Sequence, residues 1–145
     1  MSRILCCVDD SPNAQSVVSV AMSLAGKFQL ELVLVHVAPH SHAPGISAAI
    51  AGRERLLEEE RHGAQALIDR VAEETGAHGR TRAELGSPAE RIVELCREEE
   101  ASFVVLGSRG RGGLKASVLG STSLHVAGHA PCPCVIVPHD VEHVV

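Results

Sequence analysis

The chain has 145 residues, a net charge of −5 and an apolar content of 45% that is almost wholly aliphatic, with two Phe and neither Trp nor Tyr. The acidic balance and the missing platform for base stacking argue against single-stranded nucleic acid or an anionic membrane as the main partner. One domain, residues 1–145, is expected, burying roughly 70% of the surface its unfolded form exposes. No apolar run approaches the roughly 20 residues of a membrane span, and the N-terminus goes into a strand without a signal pattern. Five cysteines, an odd number without framework spacing, fit a reducing compartment, so the expected location is cytoplasmic.

The first predicted strand, residues 4–8, is a continuous apolar run of the kind covered on both faces in a parallel sheet; Asp9 and Asp10 end it. Ser11 and Pro12 give an N-cap and a first-turn proline, and Val17, Val20, Ala21, Leu24 and Ala25 recur at helical spacing up to Gly26. A second aliphatic strand covers 30–37 and stops at Pro39. Residues 40–52 are small, polar and rich in breakers, which predicts the longest irregular connection. From about Glu54 to Thr75, Leu57, Ala64, Leu67, Ile68 and Val71 make one helical face, closed by Gly76 and Gly79.

Residues 81–85 read as a short third strand, and Ser87-Pro88-Ala89-Glu90 spells a capping box. Ala89, Ile92, Val93 and Cys96 of that helix face the core, while the acidic run 98–100 ends it against its own dipole. A fourth strand at 103–106, a helix from about Gly120 to Gly128 and a last strand at 134–137 complete the pattern. Five strands with helices between them imply an α/β protein with a single doubly wound parallel sheet and right-handed crossovers.

The chemistry concentrates in residues 104–122, VVLGSRGRGGLKASVLGST. Five glycines fall between Gly107 and Gly120, and Arg109, Arg111 and Lys115 sit in a stretch with no Asp or Glu between Glu100 and Asp140. Glycines let main-chain N–H groups approach phosphate oxygens, and a Gly-Ser-Thr helix start adds free N–H groups, hydroxyls and the positive dipole end. This is not a P-loop, because Gly112 is followed by Gly113 and Leu114 where Lys and Ser or Thr are needed. Nor is it a dinucleotide fingerprint, because Lys115 stands at the third glycine's place and the loop follows a late strand. An ordinary surface loop is the other reading of these residues.

The spacing Gly107-x2-Gly110-x9-Gly120-Ser121 resembles the nucleotide-binding signature of the universal stress protein family. The likeness covers nearly the whole chain: Asp9 ends the first strand, a His36-Val37 pair ends the second, and Pro-Cys-Pro-Cys-Val-Ile-Val-Pro lies near the C-terminus. The resemblance implies a Rossmann-like strand order of 3-2-1-4-5, which sets Asp9 and the Gly107 loop side by side at the switch point where open α/β sheets bind ligands. It further implies ATP as ligand. Adenine would lie near the main chain of Val37, ribose near Asp9 and Gly107, and phosphates on Gly110, Gly120, Ser121 and Thr122. Arg109 would lie over phosphate or ribose, or else be free in solvent, and any Mg or Mn would be held mainly by the phosphates. Read alone, Asp9 is a turn or N-cap aspartate and Val37 a strand valine.

Nine histidines raise a metal reading, but His125 and His129, four apart, have no HExxH glutamate and no third ligand beside them, so these histidines read as surface residues. Cys132-Pro133-Cys134 is not a CxxC site, and Cys6 and Cys7 point to opposite faces of their strand. No acid–base pair or nucleophile elbow assembles from the residues. The expectation is a cytoplasmic stress-response module whose ATP occupancy alters contact with an unidentified protein partner or its own assembly. A slow ATP-hydrolysing or nucleotide-transferring enzyme, and an interaction protein with an empty pocket, are the competing readings. A homodimer is expected through the edge strand, where Val135, Ile136 and Val137 can pair with a second copy.

Overall fold

The computed structural model describes residues 2–40, 49–108 and 119–139. In chain order the elements are β1 (Arg3–Cys7), α1 (Ala14–Phe28), β2 (Glu31–Ala38), α2 (Ala49–Thr75), β3 (Arg80–Leu85), α3 (Pro88–Glu98), β4 (Ala101–Gly107), α4 (Ser121–His129) and β5 (Cys134–Val137). The strands form one parallel sheet in the order β3-β2-β1-β4-β5. This is the architecture the resemblance implied.

Successive strand residues face opposite sides, so β1 feeds two cores. Ile4 and Cys6 pack with Val17, Val18 and Ala21 of α1 and with Ile68 and Val71 of α2. Leu5 and Cys7 pack on the other side with Ile92, Val93, Leu95 and Cys96 of α3 and Val126 of α4. Two-sided burial explains the unbroken apolar run: each such side chain contributes roughly 1.5–3 kcal/mol when taken from water, whichever face it takes.

Several local readings change. Ser11 and Pro12 form a turn before α1, the Ala14 N–H donating to the Ser11 carbonyl at 3.2 Å, and the N-cap is Asn13, whose side chain makes no capping bond. The helix passes Gly26 and ends at Phe28, where Gln29 takes the left-handed turn with φ 54°. Helix α2 begins at Ala49, inside the stretch read as irregular; residues 41–48 lie outside those described. Gly76, at φ +69°, turns the chain out of α2, and a Cβ on Gly79 would stand 2.3 Å from the Leu32 carbonyl oxygen, so only glycine fits there. At α3 the Ser87 carbonyl accepts the Arg91 N–H at 2.9 Å, yet the Ser87 hydroxyl makes no capping bond, so the capping box is not formed.

The acidic run after α3 is compensated by arginines from elsewhere in the chain. Glu99, a buried residue, accepts from Arg80 and Arg82 of β3 and lies 3.5 Å from Arg3 of β1. Glu98 pairs with Arg91 at 2.8 Å and with Arg82 at 3.4 Å. Arg3, Glu31 and Arg80 open their strands and are linked to one another through Glu31. The network therefore borders the N-terminal edge of the sheet and leaves the C-terminal edge to the candidate site.

Candidate functional site

Strands β1 and β4 are neighbours, with Cys7 opposite Leu106, but their following helices cover opposite faces: α1 packs in one core and α4 in the other. The chain thus diverges at the C-terminal ends of β1 and β4. Such a divergence is the switch point at which open α/β sheets bind ligands.

Asp9 stands two residues past the end of β1. Its Oδ1 accepts the Ser11 N–H at 2.9 Å, a turn that aspartate favours. The peptide that carries it is fixed from both sides: the Val8 N–H donates to the Val35 carbonyl at 2.8 Å, and the Val8 carbonyl lies 2.9 Å from His36 Nδ1. That contact makes Nδ1 the protonated ring nitrogen, donating to the carbonyl. His36 is half-buried, which corrects its reading as a surface histidine.

Val37 is buried by its side chain among α3 and α4 residues. The bond from Val8 to Val35 sets the alternation of β2, so the main-chain groups of Val37 turn toward β1, beyond the Cys7–Val35 pair where the ladder ends. They point to the same gap that Asp9 borders.

On the other side Gly107, opposite Val137, is the last residue of β4. The Ser108 N–H donates to the Val137 carbonyl at 2.9 Å, and the Ser108 carbonyl accepts the Gly120 N–H at 2.7 Å. Gly120 is the N-cap of α4 and offers no side chain to cap it; the first turn contains no acidic residue. The first N–H groups of α4 therefore have no intrahelical acceptor and no cap from the Gly120 side chain, at the positive end of the helix dipole. Gly120 has φ −66° and ψ 165°, extended backbone that any residue can adopt, so no backbone angle requires glycine here. Ser121 is exposed, Thr122 half-exposed and Ser123 buried.

The structure thus brings Asp9, Val37, Gly107, Gly120, Ser121 and Thr122 to one edge of the sheet. Arg109 and Gly110 lie outside the described residues. Sequence reasoning missed His36 as a support for the Asp9 turn and Ser123 as a support for the helix start. The serine had a local signal, since a first-turn hydroxyl can reach back to a carbonyl three residues earlier.

Cys7, the thiol nearest this edge on β1, is held well above the usual range, first by burial and then by the neighbouring cysteines. Burial likewise pushes Cys96 up to about 12, so neither supplies a ready thiolate. The His125 and His129 rings stack at 4.2 Å, with His129 Nδ1 2.8 Å from the His125 carbonyl. Among the described residues no group of three or more His, Cys, Asp or Glu is arranged to hold a metal ion, and no helix is long and apolar enough to cross a membrane.

Fold and site together define a small Rossmann-like α/β protein with a glycine-capped helix N-terminus at its switch point. The model of the universal stress protein family matches residues 1–138, and the chain belongs to that family. It is similar to the universal stress protein MJ0531 of Methanocaldococcus jannaschii, 30% identical over 137 residues, covering 93% of this chain and 81% of the relative. Among solved structures it resembles the universal stress protein UspA from Lactobacillus plantarum, with TM-score 0.73 and 27% identity over 94% of this chain and 97% of that one. Two more distant structures share the fold. One is a universal stress protein in complex with cAMP, with TM-score 0.64 and 20% identity over 96% of this chain and 98% of that one. The other is the Archaeoglobus fulgidus universal stress protein in complex with dAMP, with TM-score 0.58 and 21% identity over 94% of this chain and 97% of that one.

Proposed function

We propose that this chain binds an adenine nucleotide, ATP, across the C-terminal ends of β1 and β4, and acts in the cytoplasm as a nucleotide-dependent binding module. The start of α4 carries the reading. Its N-cap is a glycine, which has no side chain to cap the first N–H groups, its first turn holds no acidic residue, and it is held on the end of β4 by the 2.7 Å bond from Gly120 to Ser108. Such an end suits phosphate. Asp9 offers a carboxylate for ribose hydroxyls, and the outward main chain of Val37 offers a donor and an acceptor for an adenine edge. Gly107, Ser121 and Thr122 complete the set, with Arg109 and Gly110 assigned on the glycine signature. Any Mg or Mn that accompanies the nucleotide would be held mainly by its phosphates.

The precedents with cAMP and dAMP support an adenine ligand for this fold. Nucleotide occupancy then alters assembly or a partner contact. The assembly proposed is a homodimer paired along β5, which among the described residues is a sheet edge with β4 as its strand neighbour. Denaturing the purified protein and identifying any released small molecule by mass tests the ligand. ATP or one of its breakdown products is expected; a protein that releases none and shows no saturable binding of added ATP is not a nucleotide module. Phosphate release followed over hours separates binding from slow hydrolysis.

A further inference from the structure

Ser123 is buried at 2% exposure in the first turn of α4, yet its hydroxyl is fully engaged. Oγ lies 3.0 Å from the Ser108 carbonyl and 3.0 Å from the Gly120 carbonyl. Its single proton is shared between two acceptors at equal range. Those two carbonyls belong to the residues that close the neck of the glycine stretch, and they are already joined by the Gly120 N–H donating to the Ser108 carbonyl at 2.7 Å. The Gly120 carbonyl also accepts the Leu124 N–H at 2.9 Å, and Ser108 is tied to β5 through the Val137 carbonyl.

We propose that Ser123 is a positioning residue for phosphate binding: its hydroxyl latches the start of α4 to the end of β4, so that the N–H groups of Ser121 and Thr122 are aimed before the ligand arrives. The inference rests on the nucleotide reading above. Ser123 does not touch the ligand. It acts through Gly120 and Ser108: the body of α4 is held by Val126 in the core, its first turn is tied to β4 by the Gly120 N–H bond, and a second bond to the same carbonyl fixes the direction of that turn. Donors held in place before binding lose less freedom when the anion lands, and this is where affinity is gained. Since the latch acts at the phosphate end alone, its effect should be confined to ligands that carry phosphate.

The test is a titration of ATP and of adenosine against the parent, Ser123→Ala and Ser123→Thr, each checked for native circular dichroism. Ser123→Ala should weaken ATP by about tenfold and leave adenosine within about twofold, and Ser123→Thr, which keeps an oxygen able to reach a carbonyl one turn back, should restore most of the loss. Unchanged ATP affinity in folded Ser123→Ala overturns the proposal, as does an equal loss for both ligands or a folded threonine variant that rescues nothing. A parent that binds neither compound sinks the nucleotide reading itself, and the latch with it. If the alanine variant does not fold, hydrogen exchange on the parent decides. Gly120 N–H protection of similar size with and without ATP supports a preformed latch, and protection that appears only with ATP contradicts it.

Discussion

Arg82 Nη1 donates to Glu99 Oε1 across 2.9 Å, joining the middle of β3 to the C-cap of α3. Arg80 binds the other oxygen of the same carboxylate. The pairing holds the Glu99 pKa below the ordinary value of 4.5, chiefly through the Arg80 hydrogen bond; Glu31 and Glu98 are lowered in the same way by Arg80 and Arg91 respectively. A carboxylate whose pKa is depressed by folding adds stability that is fully present above its unfolded value and is lost as pH falls through the folded value. Thermal unfolding should therefore show a Tm that is flat with respect to these groups above pH 4.5 and falls below it. Glu99→Gln should lower stability by about 2 kcal/mol at neutral pH and flatten that acid limb. This is less than a fully buried pair would lose, because Arg80 is 46% exposed. An unchanged acid limb in the variant would remove Glu99 from the explanation.

The homodimer prediction takes its variant from the ladder. Val104 donates to the Pro133 carbonyl and Ser108 to the Val137 carbonyl, so the alternate residues Cys134 and Ile136 turn their main-chain groups to the side of β5 away from β4. Val137 is unsuitable for substitution because it is buried in the core. Ile136→Pro removes an outward N–H while sparing the bonds to β4, which edge strands tolerate. Light scattering in the tens of micromolar range should give a dimer for the parent and a monomer for the proline variant. A parent that is monomeric, or a variant that stays dimeric, rejects pairing along β5.

The cysteines should divide by burial. Cys6, Cys7 and Cys96 are buried, whereas Cys132 and Cys134 are half-exposed. Burial raises all five thiols, Cys6 and Cys7 most. Brief alkylation of the native protein at mildly alkaline pH, read by peptide mass, should label Cys132 and Cys134 first and leave the other three until the protein unfolds. Early labelling of Cys6 would contradict the packing of β1.

The strands were legible because burial on both faces leaves an unbroken apolar run, as in β1 and β2. Their spatial order was not contained in spacing and came with the family resemblance. In the same way Gly120, Ser121 and Thr122 could be read as a phosphate-suited helix start from local chemistry alone. His36 could not, because it acts on the Val8 carbonyl, and of Ser123's two bonds only the one to Gly120 had a local signal, since the fold alone brings the Ser108 carbonyl near. The acidic run after α3 looked unfavourable for a similar reason: its arginine partners lie on β1, β3 and the first turns of α3. The half-turn before α1 and the unformed box at Ser87 show the opposite limit, where a strong local motif is satisfied by main-chain bonds instead of side-chain caps.

The most direct measurement is an isothermal titration of ATP into the parent, Gly120→Val and Ser121→Ala. Gly120 sits at a backbone conformation valine can adopt, so the variant should fold, and its side chain would stand where the proposed phosphate meets the α4 N-terminus. The account predicts saturable binding to the parent and none detectable to Gly120→Val. Ser121→Ala should lose about 1 kcal/mol, since one hydroxyl goes and the N–H groups stay. If folded Gly120→Val binds ATP as tightly as the parent, the start of α4 is not the phosphate site and the central claim is wrong.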